Sequence, residues 1–259
     1  MKSRAEKDTR VRSIVQTGPQ REALKTEYLA EILGISADMP REASTLNLKQ
    51  LRTRLLASPL ISQASVSILK PNSLYIDYTV RQPIAYLADC ENVAIDKEGY
   101  PLPFSPFFSP KNLPFIYLGL NSFGKKPQSE DKPLLAWGHS LKGRDLELAF
   151  NILSTVPEDL HVMQIDTSRA FSESYGTREI VLRVEDALYF EKEQPILLPR
   201  LLRLSPEGYA QQLSNYLKLR YQLLEEEKEA FSDDPLFKPP VRVIDLRIAN
   251  LAFVDELKT

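Results

Sequence analysis

The chain has 259 residues, of which 43% are hydrophobic and 26% charged, as in an ordinary globular protein of one or two domains. Its formal net charge is −2, with acids and bases mixed along the chain, which argues against a nucleic-acid-binding protein because phosphate contacts need a basic face. The single cysteine, Cys90, excludes an intrachain disulfide and is compatible with a reducing or an oxidising compartment. No apolar run is long enough to predict a transmembrane helix.

The first part of the chain predicts a strand followed by two helices. Residues 1–12 are charged and unpatterned, which predicts a flexible lead-in, and "SIVQTG" (13–18) predicts a short strand. Apolar residues at helical spacing precede Gly34, with Thr26 as a possible N-cap. A second amphipathic helix begins after Asn47, whose side chain can cap it.

A β-hairpin follows the two helices. "ASVSI" (64–68) and "LYIDYTV" (74–80) each alternate apolar and polar residues, and "KPNS" (70–73) between them has the composition of a turn. Residues 13–83 therefore predict a domain of order β-α-α-β-β, with the helices covering one face of the sheet.

The pattern changes after Pro83, so residues 84–259 predict a second domain, a mixed β-sheet with flanking helices. Residues 121–133 are polar and predict a mobile loop, and a long helix is expected over 206–231. In "REIVLRVEDALYF" (178–190) a hairpin turn is expected at Glu185–Asp186. The closing "VRVIDLRIANLAFV" (241–254) changes its apolar parity near Ala249–Asn250, which indicates a bulge or a turn there. The predicted fold class is α+β.

The sequence offers little catalytic chemistry. The two histidines, His139 and His161, have no metal-ligand spacing, and no glycine-rich phosphate loop or nucleophile motif occurs. Acid pairs such as Glu185–Asp186 lie where turns are expected and need no catalytic role. We therefore expect a non-catalytic protein without cofactor or metal.

Several short motifs follow one another along the chain. Their residues are Pro59, Ile61, Ala64 and Val66; Pro71, Leu74 and Ile76; Arg81, Pro83, Ile84 and Ala85; Ile95, Asp96 and Gly99; and "VIDLRI" at 243–248. The order and spacing of these motifs resemble the bacterial cell-division protein family FtsQ, also called DivIB. That family has a "P-x-(I/V)-x-x-A-x-V" hinge, a "P-x-x-L-x-I" hairpin, an "R-x-P-(I/V)-A" exit, an "(I/V)-D-x-x-G" turn and a final "V-D-L-R-Y" strand.

This resemblance implies a POTRA domain over 13–83 and an FtsQ-type β domain over 84–259. It also implies a single-pass protein of the inner membrane. The membrane helix of the family is expected just before "RVRSIVQTG" and is absent from this sequence. The residues of this sequence are then expected to lie in the periplasm. The implied function is that of a divisome scaffold without enzymatic activity. The implied partners are other cell-division membrane proteins, small bitopic coiled-coil proteins, and not nucleic acid.

The resemblance also indicates where partners bind, namely on and beside the strand that follows "DLR". The candidate residues are Arg247, Ile248, Asn250, Leu251 and Phe253. A chain-terminal strand often lies at a sheet edge with unpaired backbone groups, which suits binding by β-strand addition. The alternative is that Ile248, Leu251 and Phe253 are ordinary core residues.

Two other functions remain open from the sequence. A POTRA-containing component of outer-membrane protein assembly or secretion would be expected to carry tandem modules or a barrel of many strands. An uncharacterised hydrolase would need a convergent polar pocket.

Overall fold

The computed structural model describes residues 10–18, 22–36, 40–70, 72–120, 136–190, 194–233 and 239–257. They form helices and mixed sheets, so the fold class is α+β as predicted. The chain divides into two compact units. The first comprises Met1–Pro83, Asn92–Lys111 and Ala136–Ser140, and the second Ile84–Glu91, Asn112–Leu135 and Leu141–Thr259.

The first unit begins with the element order that the sequence predicted. Its elements are β1 (Ser13–Thr17), α1 (Thr26–Leu33), α2 (Leu48–Leu56), β2 (Ile61–Leu69) and β3 (Ser73–Val80). β3 is the central strand of a three-stranded sheet, antiparallel to β2 and parallel to β1. Leu29 and Leu33 of α1 and Leu51 and Leu55 of α2 are buried, which gives each helix one apolar face for the core.

The helix ends follow local rules with one exception. The Asn47 side chain accepts a hydrogen bond from the backbone N–H of Gln50 at 3.1 Å, which caps α2 as predicted. Gly34 ends α1 with a φ of 64°, a conformation that glycine adopts without a steric penalty. Thr26, the expected cap of α1, is instead its first residue and accepts a hydrogen bond from the Gln16 side chain at 2.9 Å.

The predicted lead-in is shorter than 12 residues. Val11 is buried, and its N–H donates to the carbonyl of Arg41 at 2.8 Å. The N–H of Arg12 donates to the carbonyl of Asn72 at 3.0 Å. Residues 10–12 therefore belong to the folded unit, because their backbone groups have partners there, and residues 1–9 lie outside the described part.

A short hairpin after Pro83 also belongs to the first unit. It consists of β5 (Val93–Asp96) and β6 (Pro101–Pro103), which pair antiparallel. Arg81 Nη1 lies 2.7 Å from Asp96 Oδ2, and the Arg81 guanidinium stacks on the Tyr100 ring at 3.6 Å. The sequence placed everything after Pro83 in the second domain, and residues 92–111 differ from that expectation because these side chains attach them to the first unit.

Two further contacts hold the same segment. Lys111 Nζ lies 2.5 Å from Glu22 Oε1, and the rings of Tyr28 and Phe107 lie 5.0 Å apart. Neither pairing is visible in the sequence, since Glu22 and Lys111 are 89 residues apart along the chain and Tyr28 and Phe107 are 79 apart.

The second unit is built on one mixed sheet. Its elements are β4 (Pro83–Leu87), β7 (Phe115–Tyr117), α3 (Arg144–Thr155), β8 (His161–Asp166), β9 (Ile180–Leu188), β10 (Ile196–Leu204), α4 (Tyr209–Asp233), β11 (Arg242–Asp245) and β12 (Phe253–Glu256). The strands of this unit follow the order β12-β11-β10-β9-β8-β7-β4. β9 is antiparallel to β8 and β10, and β12 is antiparallel to β11.

The expected hairpin turn at Glu185–Asp186 is wrong. β9 continues through both residues to Leu188, and its hairpin partner is β10, a strand that the sequence reading did not predict. Asp186 is fully buried and forms ion pairs with two arginines, so it is not a surface turn residue. The expected mobile loop over 121–133 lies outside the described residues.

A buried network of charged side chains joins α4 to the sheet. Arg200 of β10 has no exposed surface and forms a bidentate pair with Glu227 of α4, with Nη1 donating to Oε1 at 2.8 Å and Nη2 donating to Oε2. Arg200 Nε donates to Asp186 Oδ2 at 3.4 Å. The Tyr216 hydroxyl donates to the same oxygen at 2.6 Å, and burial together with the Asp186 charge raises the Tyr216 pKa.

Two more arginines complete the network. Arg220 Nε lies 2.7 Å from Asp186 Oδ1, and Arg242 Nε of β11 lies 3.2 Å from Glu227 Oε1. These two contacts are ion pairs and not aligned hydrogen bonds. Each buried carboxylate therefore has a guanidinium on two sides, so neither charge is left unpaired in the core.

We expect that Arg200→Ala destabilises the protein by about 3–5 kcal/mol, because it leaves two buried carboxylates without their shared partner. Urea unfolding followed by circular dichroism measures this change. Arg183→Ala, an exposed arginine of β9, is the matched control and should change the free energy of unfolding by less than about 0.5 kcal/mol. Equal effects of both substitutions would contradict the assigned role of the network.

We expect Arg81→Ala to lower the free energy of unfolding by about 1.5–3 kcal/mol, less than Arg200→Ala, because hydrogen bonds to charged groups contribute in this range. Its nearly buried partner Asp96 would lose the guanidinium. The exposed Lys97, in the same turn, supplies the control Lys97→Ala. If proteolysis of the 92–111 segment is no faster in Arg81→Ala than in this control, Arg81 does not hold the hairpin in place.

Candidate functional site

The last strand of the described chain lies at the edge of the second unit's sheet. β12 is the final strand in the order and pairs only with β11 within the described residues. All four of its residues are exposed, and the relative exposure of Phe253 is 54%. The outer edge of β12 has no strand partner within the described residues, and such an edge is a template for an added strand.

A tight turn separates β11 from β12. Asn250 has a φ of 62°, and the N–H of Leu251 donates to the carbonyl of Ile248 at 3.2 Å. Asparagine tolerates this left-handed conformation better than most residues. Of the two explanations for the change in apolar parity near Ala249–Asn250, a bulge or a turn, the structure therefore has the turn.

Successive residues of β12 direct their backbone N–H and C=O groups alternately toward β11 and away from it. The N–H of Leu257 donates to the carbonyl of Val241 at 2.9 Å, which makes this a hydrogen-bonded pair. Val254 lies opposite Ile244, and hydrogen-bonded and non-hydrogen-bonded pairs alternate in an antiparallel ladder. Val254 and Glu256 therefore point their N–H and C=O groups away from β11, toward the free edge.

A cluster of arginines and carboxylates lies beside the start of β12. Arg203 Nε and Nη2 donate to Glu179 Oε2 at 2.9 and 2.6 Å, and Arg203 Nη1 lies 3.2 Å from Asp245 Oδ2. Arg169 and Arg247 also approach Glu179, at 3.2 and 3.6 Å. Three guanidinium groups face two carboxylates in this cluster, and the neighbouring acids are Glu207 of the cavity and Asp255 and Glu256 of β12.

The geometry of this cluster changes the acidity of its members. Burial alone would raise the pKa of Asp245, but hydrogen bonds from the side chain and backbone of Arg247, with the charges of Arg247 and Arg203, lower it below the ordinary value of 3.8. The bond to Asp245 raises the Arg247 pKa. Both groups are therefore held in their charged forms.

A cavity of about 410 Å³ opens beside the cluster. It combines an apolar wall with a charged rim, and its lining includes Tyr175, Arg178, Asp245, Arg247, Ile248 and Phe253. The Arg178 guanidinium stacks on the Tyr175 ring at 3.9 Å. Such a cavity can accept an apolar side chain whose neighbour is acidic.

The residues singled out from the sequence fall into two places. Arg247, Ile248 and Phe253 line the cavity, whereas Asn250 and Leu251 lie in the turn outside it. Ile248, Leu251 and Phe253 are each more than half exposed, so they are not core residues of the described chain. Their role in partner binding stays a prediction.

Sequence reasoning missed the other members of the site. Arg203 lies on β10, and Glu179 immediately precedes β9, so both depend on a strand pairing that was not predicted. A signal was present in the strand "ILLPRLLRL" (196–204). Its residues alternate between a buried and a more exposed face, with Arg200 on the buried face and Arg203 on the more exposed one. Alternation in so apolar a run is easily overlooked.

The described residues contain no group of three or more histidines, cysteines or acids placed to hold a metal ion. Across the described helices, none combines the length and the apolar character needed to cross a bilayer. A comparison with models of known protein families found no match, and a search of curated proteins found none either.

We expect that acid weakens the Asp245–Arg247 pair. Since the folded-state pKa of Asp245 is lowered, its contribution is complete above about pH 4 and is lost as pH falls through the folded value. The urea midpoints of the parent and of Asp245→Asn should therefore differ by a constant amount above about pH 5 and converge as the pH is lowered below about 4. A difference that stays constant below about pH 4 would contradict the assignment.

Proposed function

We propose that this chain is the extracytoplasmic region of a non-catalytic divisome scaffold of the FtsQ/DivIB type, and that β12 binds an extended segment of a cell-division partner. The observation that carries the proposal is the position of β12 at the sheet edge with every residue exposed. The first unit and the motif order support the family, and the edge supports the mode of binding.

The edge offers enough backbone for a moderate affinity. Val254 presents one donor and one acceptor, whereas Glu256 presents only its acceptor because its N–H donates to Asp255 Oδ1 at 2.8 Å. An added strand therefore gains about three hydrogen bonds of roughly 0.5–1.5 kcal/mol each. An apolar side chain placed in the neighbouring cavity adds about 1.5–3 kcal/mol. Together, after the cost of association, these contacts are compatible with micromolar binding, about −8 kcal/mol.

The site also indicates the chemistry of the partner. The Arg169 side chain is 57% exposed and can pair with an acidic residue, and the cavity can accept an apolar one. A partner strand that combines an acidic and an apolar side chain at adjacent positions satisfies both. The proposed partners are small bitopic coiled-coil division proteins anchored in the same membrane.

The test is Val254→Pro, which removes an N–H that faces the free edge while leaving the ladder to β11 intact. We expect at least tenfold weaker binding of a peptide from the extracytoplasmic end of the coiled-coil partner, measured by calorimetric titration, with an unchanged thermal unfolding midpoint.

Asp255→Pro is the matched variant, because the Asp255 N–H faces β11 and its loss should disrupt the hairpin itself. The proposal fails if Val254→Pro stays folded and binds the peptide as tightly as the parent. Arg183→Ala, remote from β12 along the sheet, should leave the affinity within twofold.

A further inference from the structure

The sheets of the described residues end in four edge strands, β1, β2, β6 and β12. Natural edge strands limit unwanted pairing by being short or by carrying charges or prolines. β1 has five residues, β6 begins and ends with proline, and β12 contains Asp255 and Glu256. β2 has nine residues with no charge, proline or glycine, and its one irregularity lies at its start, between Ile61 and Gln63. The rest of β2 therefore has none of these protections.

Alternate residues of β2 direct their backbone groups away from the sheet. The N–H of Arg81, just after β3, donates to the carbonyl of Leu60, just before β2. The odd-numbered residues of β3 therefore face β2, and their partners, such as Ser67, close the ladder between the two strands. Val66 and Ile68 consequently direct their N–H and C=O groups to the outer edge.

Helix α2 reaches this edge at one point only. Arg52 Nε donates to the carbonyl of Ala64 at 2.9 Å, which occupies the first outward-facing carbonyl of the regular part of β2. Among the described residues, none bonds to the outward-facing groups of Val66 or Ile68, and both side chains are only half-buried. The unpaired stretch of the edge is therefore the second half of β2.

This stretch is complementary to itself. In antiparallel pairing about a two-fold axis, Val66 of one copy can face Ile68 of the other, and the two Ser67 residues then lie directly opposite each other. The two Val66–Ile68 pairs supply four backbone hydrogen bonds. Serine hydroxyls opposite each other can also hydrogen-bond, and no charge of either strand meets a like charge.

We propose that β2 pairs antiparallel with β2 of a second copy of this chain, in a symmetric dimer centred on Ser67. Leu69, which is 51% exposed, then lies opposite Ser65 of the second copy and loses contact with water. A strand without charge has little to select a different protein, whereas its own sequence fits this register.

One pair of like charges comes close in the proposed dimer. Lys70 of one copy lies opposite Ala64 of the other, whose carbonyl holds Arg52. Since Lys70 is exposed in the turn beyond the strand, its long side chain can extend away from that guanidinium into water. The inference is independent of partner binding at β12, which belongs to the other unit.

The test is disulfide trapping of the intact chain under mild oxidation, followed by non-reducing gel electrophoresis. Ser67→Cys should cross-link rapidly, because the Cα atoms of a directly opposite, non-hydrogen-bonded pair are about 4.5 Å apart, which a disulfide spans. Ser65→Cys is the matched control, an exposed serine on the same face of the same strand. In the dimer its two copies are about 13 Å apart, so we expect it to cross-link at least about tenfold more slowly.

A second variant tests the backbone pairing. Val66→Pro in the Ser67→Cys chain removes an N–H that faces the outer edge and leaves the ladder to β3 intact, so it should slow cross-linking at least about tenfold. The parent, with Cys90 alone, gives the background, and circular dichroism checks that each variant is folded.

Equal cross-linking of Ser67→Cys and Ser65→Cys overturns the proposal, and this comparison decides the matter if Val66→Pro does not fold. Cross-linking that a folded Val66→Pro variant leaves unchanged also overturns it. A Ser67→Cys chain that forms no disulfide-linked dimer above the background leaves the edge to a different partner and equally overturns the proposal.

Discussion

The arrangement of the second unit depends on one ion pair, that between Arg200 and Glu227. Neither side chain is exposed to water, so each needs the other, and the pair fixes both the depth and the rotation of α4 on the sheet. Arg242 extends the same pair to β11, the strand on which β12 is built. Buried charges of the core thus connect α4 and β10 with β11, the strand next to the exposed edge.

The Arg81–Asp96 pair gives two of the sequence motifs a physical meaning. Both Asp96 oxygens are used, since Oδ2 meets Arg81 while Oδ1 accepts the N–H groups of Glu98 and Tyr100 at 2.9 and 2.8 Å. One carboxylate thus shapes a turn and attaches it to the end of β3. In this chain the "R-x-P" exit and the "I-D-x-x-G" turn are therefore joined directly, by the ion pair between Arg81 of the first motif and Asp96 of the second.

Local patterning was sufficient for residues 13–80 and insufficient for the 92–111 hairpin of the first unit and for the charged core of the second. Asn47, Gly34 and the alternation over 64–80 are decided by neighbours in sequence, and they were predicted correctly. Asp186 and Arg200 could not be, because two adjacent charges in a strand look like a turn until their partners on a distant helix are known. The candidate edge strand could be predicted because it is the last strand in the sequence. Its arginine cluster could not, because Arg203 and Glu179 come together only when β9 pairs with β10.

The acidic residues of β12 restrict how its exposed edge can pair with a second copy of itself. In the antiparallel register that places Val254 of one copy opposite Glu256 of the other, the two Asp255 side chains would lie directly opposite each other, and like charges in that position oppose pairing. A segment with a neutral or basic residue there meets no such repulsion, so in this register the edge discriminates between a second copy and another partner.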